Sequence, residues 1–276
     1  MLKIYTNKED KIDMYNKIKL IATDLDGTFF RDDKTYSDEF FTLYEKMKQK
    51  GMLFVVASGN QYELIQSRFE PIKDDILYIC ENGTKIVYQN QILYKNTLQS
   101  EDVYQLLQVI EKHTSCNIVL CGTKHAYILN RFKEKEPFLR NFYRNYQFVE
   151  TFDGIDDEIL KISIADWSYQ IEDTVESIRP HVPDHLILVT TGNVWFDIFN
   201  KESNKGTAMQ FVQKHFHISK ESCMAFGDLM NDYDLLKNVG ESYAMENACD
   251  ELKKVAKHIA PSNEDDGVIQ VLKQFL

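Results

Sequence analysis

Two aspartates close the first strongly apolar run of the chain, Lys19-Leu20-Ile21-Ala22-Thr23-Asp24-Leu25-Asp26-Gly27-Thr28. A short β-type run that stops at Asp-x-Asp-Gly-Thr sets two carboxylates at the C-terminal end of a strand, the edge where open α/β sheets bind their ligands. Carboxylates this close repel each other, so one must hold a proton or a cation must lie between them. An acidic turn that only closes a strand uses the same residue types, since Asp and Gly are ordinary turn formers. A calcium loop does not fit, because it needs glycine at its sixth position and a bidentate Glu at its twelfth. Counted from Asp24, Gly27 is fourth and Thr35 is twelfth.

A second apolar run far down the chain, Ser222 to Phe226, ends in the same manner, at Gly227-Asp228-Leu229-Met230-Asn231-Asp232. If both runs are neighbours in one parallel sheet, three or four carboxylates meet at its edge, a cluster that calls for a cation. Hard oxygen ligands with room for water and a phosphate favour Mg²⁺. Ser58 and Gly59 follow a third apolar run and open a helix, so they can offer a hydroxyl and backbone N–H groups to an anion. Lys205 stands where another helix begins, against the helix dipole. That misfit is explained if the lysine faces a bound phosphate, because local rules break at functional sites. The bland alternative is a solvated surface lysine.

The elements that must position these residues follow from the pattern. Asp38 to Lys50 carries Phe40, Phe41, Leu43, Tyr44 and Met47 on one helical face, and Gly51 stops it. Met52 to Ala57 is a strand-length apolar run, Gln61 to Phe69 a helix, and Ile76 to Cys80 a third strand closed by Glu81-Asn82-Gly83. Strand and helix in alternation imply a parallel sheet with helices on its faces.

The rhythm then changes. Lys85 to Tyr88 and Ile92 to Lys95 read as a hairpin, and Ser100 caps a helix with the stripe Val103, Leu106, Leu107 and Ile110. Short runs at Ile118 to Cys121, Ala126 to Leu129, Ile159 to Ala165 and Leu186 to Val189 alternate with helical stretches at Glu136 to Tyr146 and Ile171 to Ile178. This reads as an α+β domain inserted at residues 84–199. The parallel pattern resumes with a helix after Lys205-Gly206 that carries Ala208, Phe211, Val212 and His215, then the Ser222 to Phe226 strand. A strand at Ser242 to Met245, a helix from Asp250 to His258 and a last helical stretch from Val268 to Phe275 complete it. Residues 1–83 and 200–276 then form the core.

Bulk properties narrow the function. A chain of 276 residues with 17 Phe and 15 Tyr has ample material for packed cores. A net charge of -11 without a run of five basic residues argues against a nucleic-acid surface. No stretch approaches the length of a membrane span, and residues 1–19 lack the apolar segment of a signal peptide. Five scattered cysteines, Cys80, Cys116, Cys121, Cys223 and Cys249, without a CxxC pair fit reduced thiols in the cytoplasm. Nothing indicates an obligate protein partner. His215-x-His217 reads as a packed or surface pair, not a zinc site; the aromatic stretch Phe138 to Phe148, with Arg140 and Arg144 interleaved, reads as helical packing before a binding face of the inserted domain; Trp167 and Trp195 receive no role.

Four strings, DLDGT at Asp24 to Thr28, ASGN at Ala57 to Asn60, NKGTA at Asn204 to Ala208 and GDLMND at Gly227 to Asp232, resemble in type and order the four motifs of haloacid dehalogenase-type phosphatases. The longer strings VASGNQYELI and ICENGT, with the insertion after them, look most like the Cof-type branch with a C2B cap, especially its sugar phosphatases. The resemblance implies an α/β fold, a Rossmann-like parallel-sheet core carrying an inserted α+β cap, and Mg²⁺-dependent hydrolysis of a small phosphorylated metabolite. It implies Asp24 as the nucleophile that becomes an aspartyl-phosphate and Asp26 as acid and base. Asp24, the backbone carbonyl of Asp26 and Asp228 would hold the metal. Ser58, Gly59, Lys205 and Asn231 would contact phosphate, and Asp232 would orient Lys205 or a metal-bound water. Lys201-Glu202-Ser203-Asn204 departs from the pattern by lacking a glycine before the motif lysine, and residues 1–18 form a leader without a readable role. A phosphomutase would share the Asp24 intermediate, and a phospho-metabolite sensor would share the pocket but needs no nucleophile.

Overall fold

The near-continuous apolar runs become strands buried on both faces, as a parallel sheet between helices demands. A computed structural model describes residues 17–276 apart from residues 169, 192 and 193, so all but the last two residues of the expected leader lie outside the described residues. The strands in chain order are β1 (Leu20–Thr23), β2 (Leu53–Ala57), β3 (Leu77–Cys80), β4 (Lys85–Tyr88), β5 (Gln91–Lys95), β6 (Cys116–Gly122), β7 (Ala126–Leu129) and β8 (Tyr146–Val149). They continue as β9 (Ile159–Asp166), β10 (Leu186–Thr191), β11 (Trp195–Asn200), β12 (Cys223–Gly227), β13 (Glu241–Met245) and β14 (His258–Ala260).

Eight of them form one sheet in the order β14-β13-β12-β1-β2-β3-β4-β5. The six strands from β14 to β3 run parallel, and β4 and β5 continue antiparallel. In register, Thr23 of β1 lies between Phe226 of β12 and Val56 of β2, so three strand ends open side by side at the centre of the sheet. The helix Glu39–Gln49 buries Phe40, Leu43, Tyr44 and Met47 against this sheet, and the helix Lys205–His215 buries Ala208, Met209 and Val212. The latter is fixed at its start by a capping box in which Asn204 and Thr207 satisfy each other's backbone N–H groups.

The remaining six strands make a second sheet, β10-β11-β9-β6-β7-β8, antiparallel except for the β7–β8 pair. Its two faces differ by the period-2 rule. Ile162, Ile164, Phe196, Ile198, Leu186 and Leu188 pack under the helices Ser100–Ile110 and Ile171–Ile178. Their alternates Lys161, Ser163, Trp195, Asp197, Ile187 and Val189 line a cleft toward the first sheet.

Several expected elements differ. The Lys85–Lys95 hairpin, expected within the inserted domain from residue 84, pairs β4 with β3 and extends the core sheet, because Ile86 and Val87 complete the core's apolar layer. The helix expected over residues 136–146 ends at Leu139, and Tyr146 enters β8 instead. Trp195–Asn200, expected as no element, is a strand. The helix expected to reach His258 stops at Lys253, and His258 begins β14. Here pairing with a neighbouring strand overrides local helix spacing.

Cys116 and Cys121 share β6, and all five cysteines are free. His215 and His217 are both exposed at a helix end and outside any metal-type cluster. Among the described residues no helix is long and apolar enough to cross a membrane.

Candidate active site

The central strand ends position the candidate side chains. β1 ends at Asp24, β12 at Asp228, and the short 3-10 turn Met230–Asp232 carries Asp232 back beneath both. One carboxylate oxygen from each of Asp24, Asp228 and Asp232 lies within 4.8 Å of the others, and all three residues are buried. Lys205 reaches into this cluster from its helix and is only 1% exposed; its Nζ donates to Asp24 Oδ1 at 2.5 Å and to Asp232 Oδ1 at 2.6 Å. The surface reading of Lys205 is therefore excluded.

Asp232 also ties the loop together. Its Oδ2 accepts the backbone N–H of Asp228 at 3.0 Å and of Leu229 at 3.4 Å, while its other oxygen orients Lys205. Thr28 donates its hydroxyl to Asp228 Oδ1 at 3.0 Å. Gly27 has φ +78°, and a Cβ there would meet Asp228 Oδ2 at 2.3 Å, so only glycine lets β1's loop approach Asp228 this closely.

Asp26 stands apart from the cluster. Its carboxylate is half exposed and is held by Lys34 Nζ at 2.7 Å and Asn60 Nδ2 at 3.0 Å. Ser58 is buried, its N–H donates to the Ile79 carbonyl, and its Oγ accepts the N–H of Asn60 at 3.1 Å. Asp24, Asp26, Ser58, Gly59, Lys205, Asp228 and Asn231 all line one cleft of about 1080 Å³. Asn231 is exposed at the mouth, and Asp232 lies behind the wall.

Electrostatics explain why this cluster is poised for a cation. Burial is the main force that pushes Asp24 well above the usual carboxylate range; Lys205 opposes it, and the charges of Asp232 and Asp228 add to it. Burial, then Asp232, lifts Asp228 to about 6. Lys205 is held above the ordinary lysine range by Asp232 and Asp24 despite its burial. One lysine facing three buried carboxylates leaves an excess of negative charge that a divalent ion would remove. The donor set is all oxygen, which suits Mg²⁺.

Sequence reasoning missed a second polar group on the cleft wall, the buried Glu81, Lys161, Ser163 and Asp197 with the partly buried Asn82. Glu81-Asn82 reads in sequence as the close of a strand and as part of the family-like string ICENGT, without a role at the site, and Lys161 sits within the buried strand ILKISIAD. A lysine inside a buried strand was the available signal, because charge there needs partners.

The model of the haloacid dehalogenase-like hydrolase family matches residues 21–272. A 5-amino-6-(5-phospho-D-ribitylamino)uracil phosphatase of Escherichia coli is 32% identical over 261 residues, covering 94% of this chain and 96% of its own. A solved protein of Streptococcus mutans superposes with a TM-score of 0.82 at 29% identity, covering 93% of this chain and 98% of that one. A solved HAD subclass IIB sugar phosphatase, at 19% identity and TM-score 0.76 over 92% of this chain and 98% of that one, shares the fold.

Proposed function

The chain belongs to the haloacid dehalogenase-like hydrolases and is a phosphatase, and from that premise we propose that it dephosphorylates a small phosphorylated sugar or polyol with Mg²⁺, through an aspartyl-phosphate on Asp24. The observation that carries the reading is the convergence of Asp24, Asp228 and Asp232 around the buried Lys205 at the ends of β1 and β12.

In the proposed first step an Asp24 oxygen forms a bond to phosphorus while the bond from phosphorus to the ester oxygen breaks. The departing alkoxide takes a proton from Asp26, which Lys34 and Asn60 hold at the cleft. Lys205, anchored by Asp232, balances the charge on the transferring oxygens, and Ser58 with the Gly59 backbone cradles them. In the second step Asp26 takes a proton from the attacking water, the acyl-phosphate bond breaks, and phosphate leaves with Asp24 restored. Mg²⁺, held by Asp24, Asp228 and the backbone carbonyl of Asp26, would supply further neutralisation of phosphoryl charge.

The second sheet serves as a cap that roofs this cleft and excludes water from the transfer. Among the described residues we set the core at 17–95 and from 201 onward, with the cap between them. The cleft of about 1080 Å³ exceeds what a bare sugar phosphate fills and is at the upper end of small-molecule sites. Its lining includes Trp195 and Phe142, with ring centroids 5.1 Å apart, as well as the polar Ser163 and Asp197, a mixture that suits a ring with a polar chain. This supports a phosphorylated polyol chain bearing a pyrimidine, the class that the Escherichia coli relative's name states. The test is phosphate release from a panel of ribityl-pyrimidine phosphate, sugar phosphates and nucleotides, with Mg²⁺ and with EDTA. Release from the first at the highest kcat/KM, abolished by EDTA, is expected; no release from any member refutes the reading.

A further inference from the structure

Lys161 is a charged residue on the cap, yet it is 4% exposed and its partners lie largely on the core. Its Nζ contacts Glu81 Oε2 at 2.9 Å, Asp197 Oδ2 at 3.0 Å and the Gly59 carbonyl at 3.0 Å. Two of the ammonium's three donors are committed to Asp197 and to the Gly59 carbonyl, and Glu81 pairs with its charge, so Lys161 is engaged in holding cap to core.

These partners converge on the loop that holds Ser58 and Gly59. Asn82 N–H donates to the Ser58 carbonyl and Glu81 N–H to the Asn60 carbonyl, both at 3.2 Å. Glu81 and Asn82 adopt φ of +50° and +58°, a left-handed pair that non-glycine residues hold only when their surroundings enforce it. A Cβ on Gly59 would meet Asn82 Oδ1 at 2.7 Å, so the loop and the Glu81–Asn82 turn are fitted to one another. Asp197, on β11, accepts from Asn82 at 3.2 Å and from Ser163 at 2.6 Å, which extends the network across the cap sheet.

A second, separate tie reaches the same loop. Gln61 Oε1 accepts the backbone N–H groups of Arg144 at 2.8 Å and Asn145 at 3.0 Å, and its Nε2 donates to the Asn145 carbonyl at 2.7 Å. The cap thus grips residues 59 and 61 on both sides of Asn60, which in turn holds the Asp26 carboxylate.

We propose that Lys161 and Gln61 are positioning residues through which the docked cap sets the shape of the Ser58–Gln61 phosphate loop, so that anion affinity in the core depends on cap contacts that never touch the anion. The proposal rests on the phosphatase reading only in taking this loop as the phosphate cradle. Docking energy is then spent on preorganising the loop, and every phosphate ester benefits alike, whatever its leaving group.

The experiment measures Mg²⁺-dependent binding of inorganic phosphate by calorimetry, which requires no turnover, in wild type, Lys161→Met and Gln61→Ala. Inorganic phosphate has no leaving group to touch the cap. Both variants are expected to bind it about 10- to 100-fold more weakly, with Mg²⁺ affinity at Asp24 and Asp228 unchanged and with equal kcat/KM losses across the ester panel. Lys161→Met leaves Glu81 and Asp197 without their cation; if it does not fold, Gln61→Ala carries the test, since it strands no charge. Unchanged phosphate affinity with a lowered Tm makes the residues merely structural and overturns the proposal. Unchanged phosphate affinity with kcat/KM losses that differ between esters makes them leaving-group contacts and equally overturns it. Phosphate binding weakened in the variants of a protein that hydrolyses no ester upholds this inference while refuting the proposed function.

Discussion

Replacing Lys205 by Met keeps the aliphatic stem that packs in the core and removes only the charge. The wild-type lysine bridges Asp24 and Asp232 with side chains no more than 9% exposed, so solvent screening gives little discount. Deleting one partner of such a buried ion group costs about 3–5 kcal/mol, because the carboxylates left behind are desolvated and repel each other. For a chain of this size that corresponds to a Tm about 6–10 °C lower. The deficit must depend on pH. Burial already holds Asp24 above the usual carboxylate range with Lys205 opposing, so removing Lys205 raises it further. A carboxyl whose folded-state pKa is raised favours the fold at pH below its unfolded value and penalises it as pH rises through the folded value. The gap between Lys205→Met and wild type, measured by urea unfolding in EDTA, is therefore expected to be largest at pH 8 and to narrow toward pH 5. Saturating Mg²⁺ at pH 8 is expected to narrow it too, while turnover stays about 10²–10³-fold down for lack of the phosphoryl-facing cation. Equal stability of the two proteins at pH 8 in EDTA, or a gap that widens on acidification, would refute the reasoning.

Asp228 stands at about 6 in the folded protein, so metal-free wild type should gain about 1–2 kcal/mol relative to Asp228→Asn between pH 7.5 and 5, read from paired urea titrations. A flat difference across that window argues that Asp228 is not desolvated. Asp24→Asn is expected to abolish turnover and acid-quenched phosphoenzyme while the far-UV spectrum is unchanged, and Asp26→Asn to slow both half-reactions about 10²–10⁴-fold. Full activity in either variant removes its residue from the proposed role. Gly27→Ala, forced to φ +78° with its Cβ against Asp228, should cost about 1–2 kcal/mol and weaken Mg²⁺ binding; calorimetry showing wild-type Mg²⁺ affinity would contradict the close approach.

The core was legible because its signals are local. Apolar runs of strand length at Leu20–Thr23, Leu53–Ala57 and Cys223–Gly227 can be buried on both faces only in a parallel sheet, and each ends in residues whose polarity forbids continuing it. The cap was less legible. Trp195–Asn200 runs apolar-apolar-polar twice, without the period-2 alternation that marks a strand, and it is defined by what it pairs with, here β9 and β10. The Lys85–Lys95 hairpin could be recognised as a hairpin but not assigned to a sheet, because the choice between β3 and the cap depends on where the chain turns next.

Residue order alone determined which side chains could do chemistry, since Asp24, Asp26, Ser58, Lys205 and Asp228 sit at strand and helix ends whatever their neighbours are. Tertiary structure decided what each one faces. The register of Thr23 with Phe226 brings the carboxylates of Asp24 and Asp232, far apart in the chain, onto one lysine. Packing of two sheets, not any motif, turns Lys161 from an oddity in an apolar strand into a tie between Glu81, Asp197 and the Gly59 carbonyl. A buried charge is tolerable only where partners from several elements meet it, and a linear sequence does not show where those elements cross.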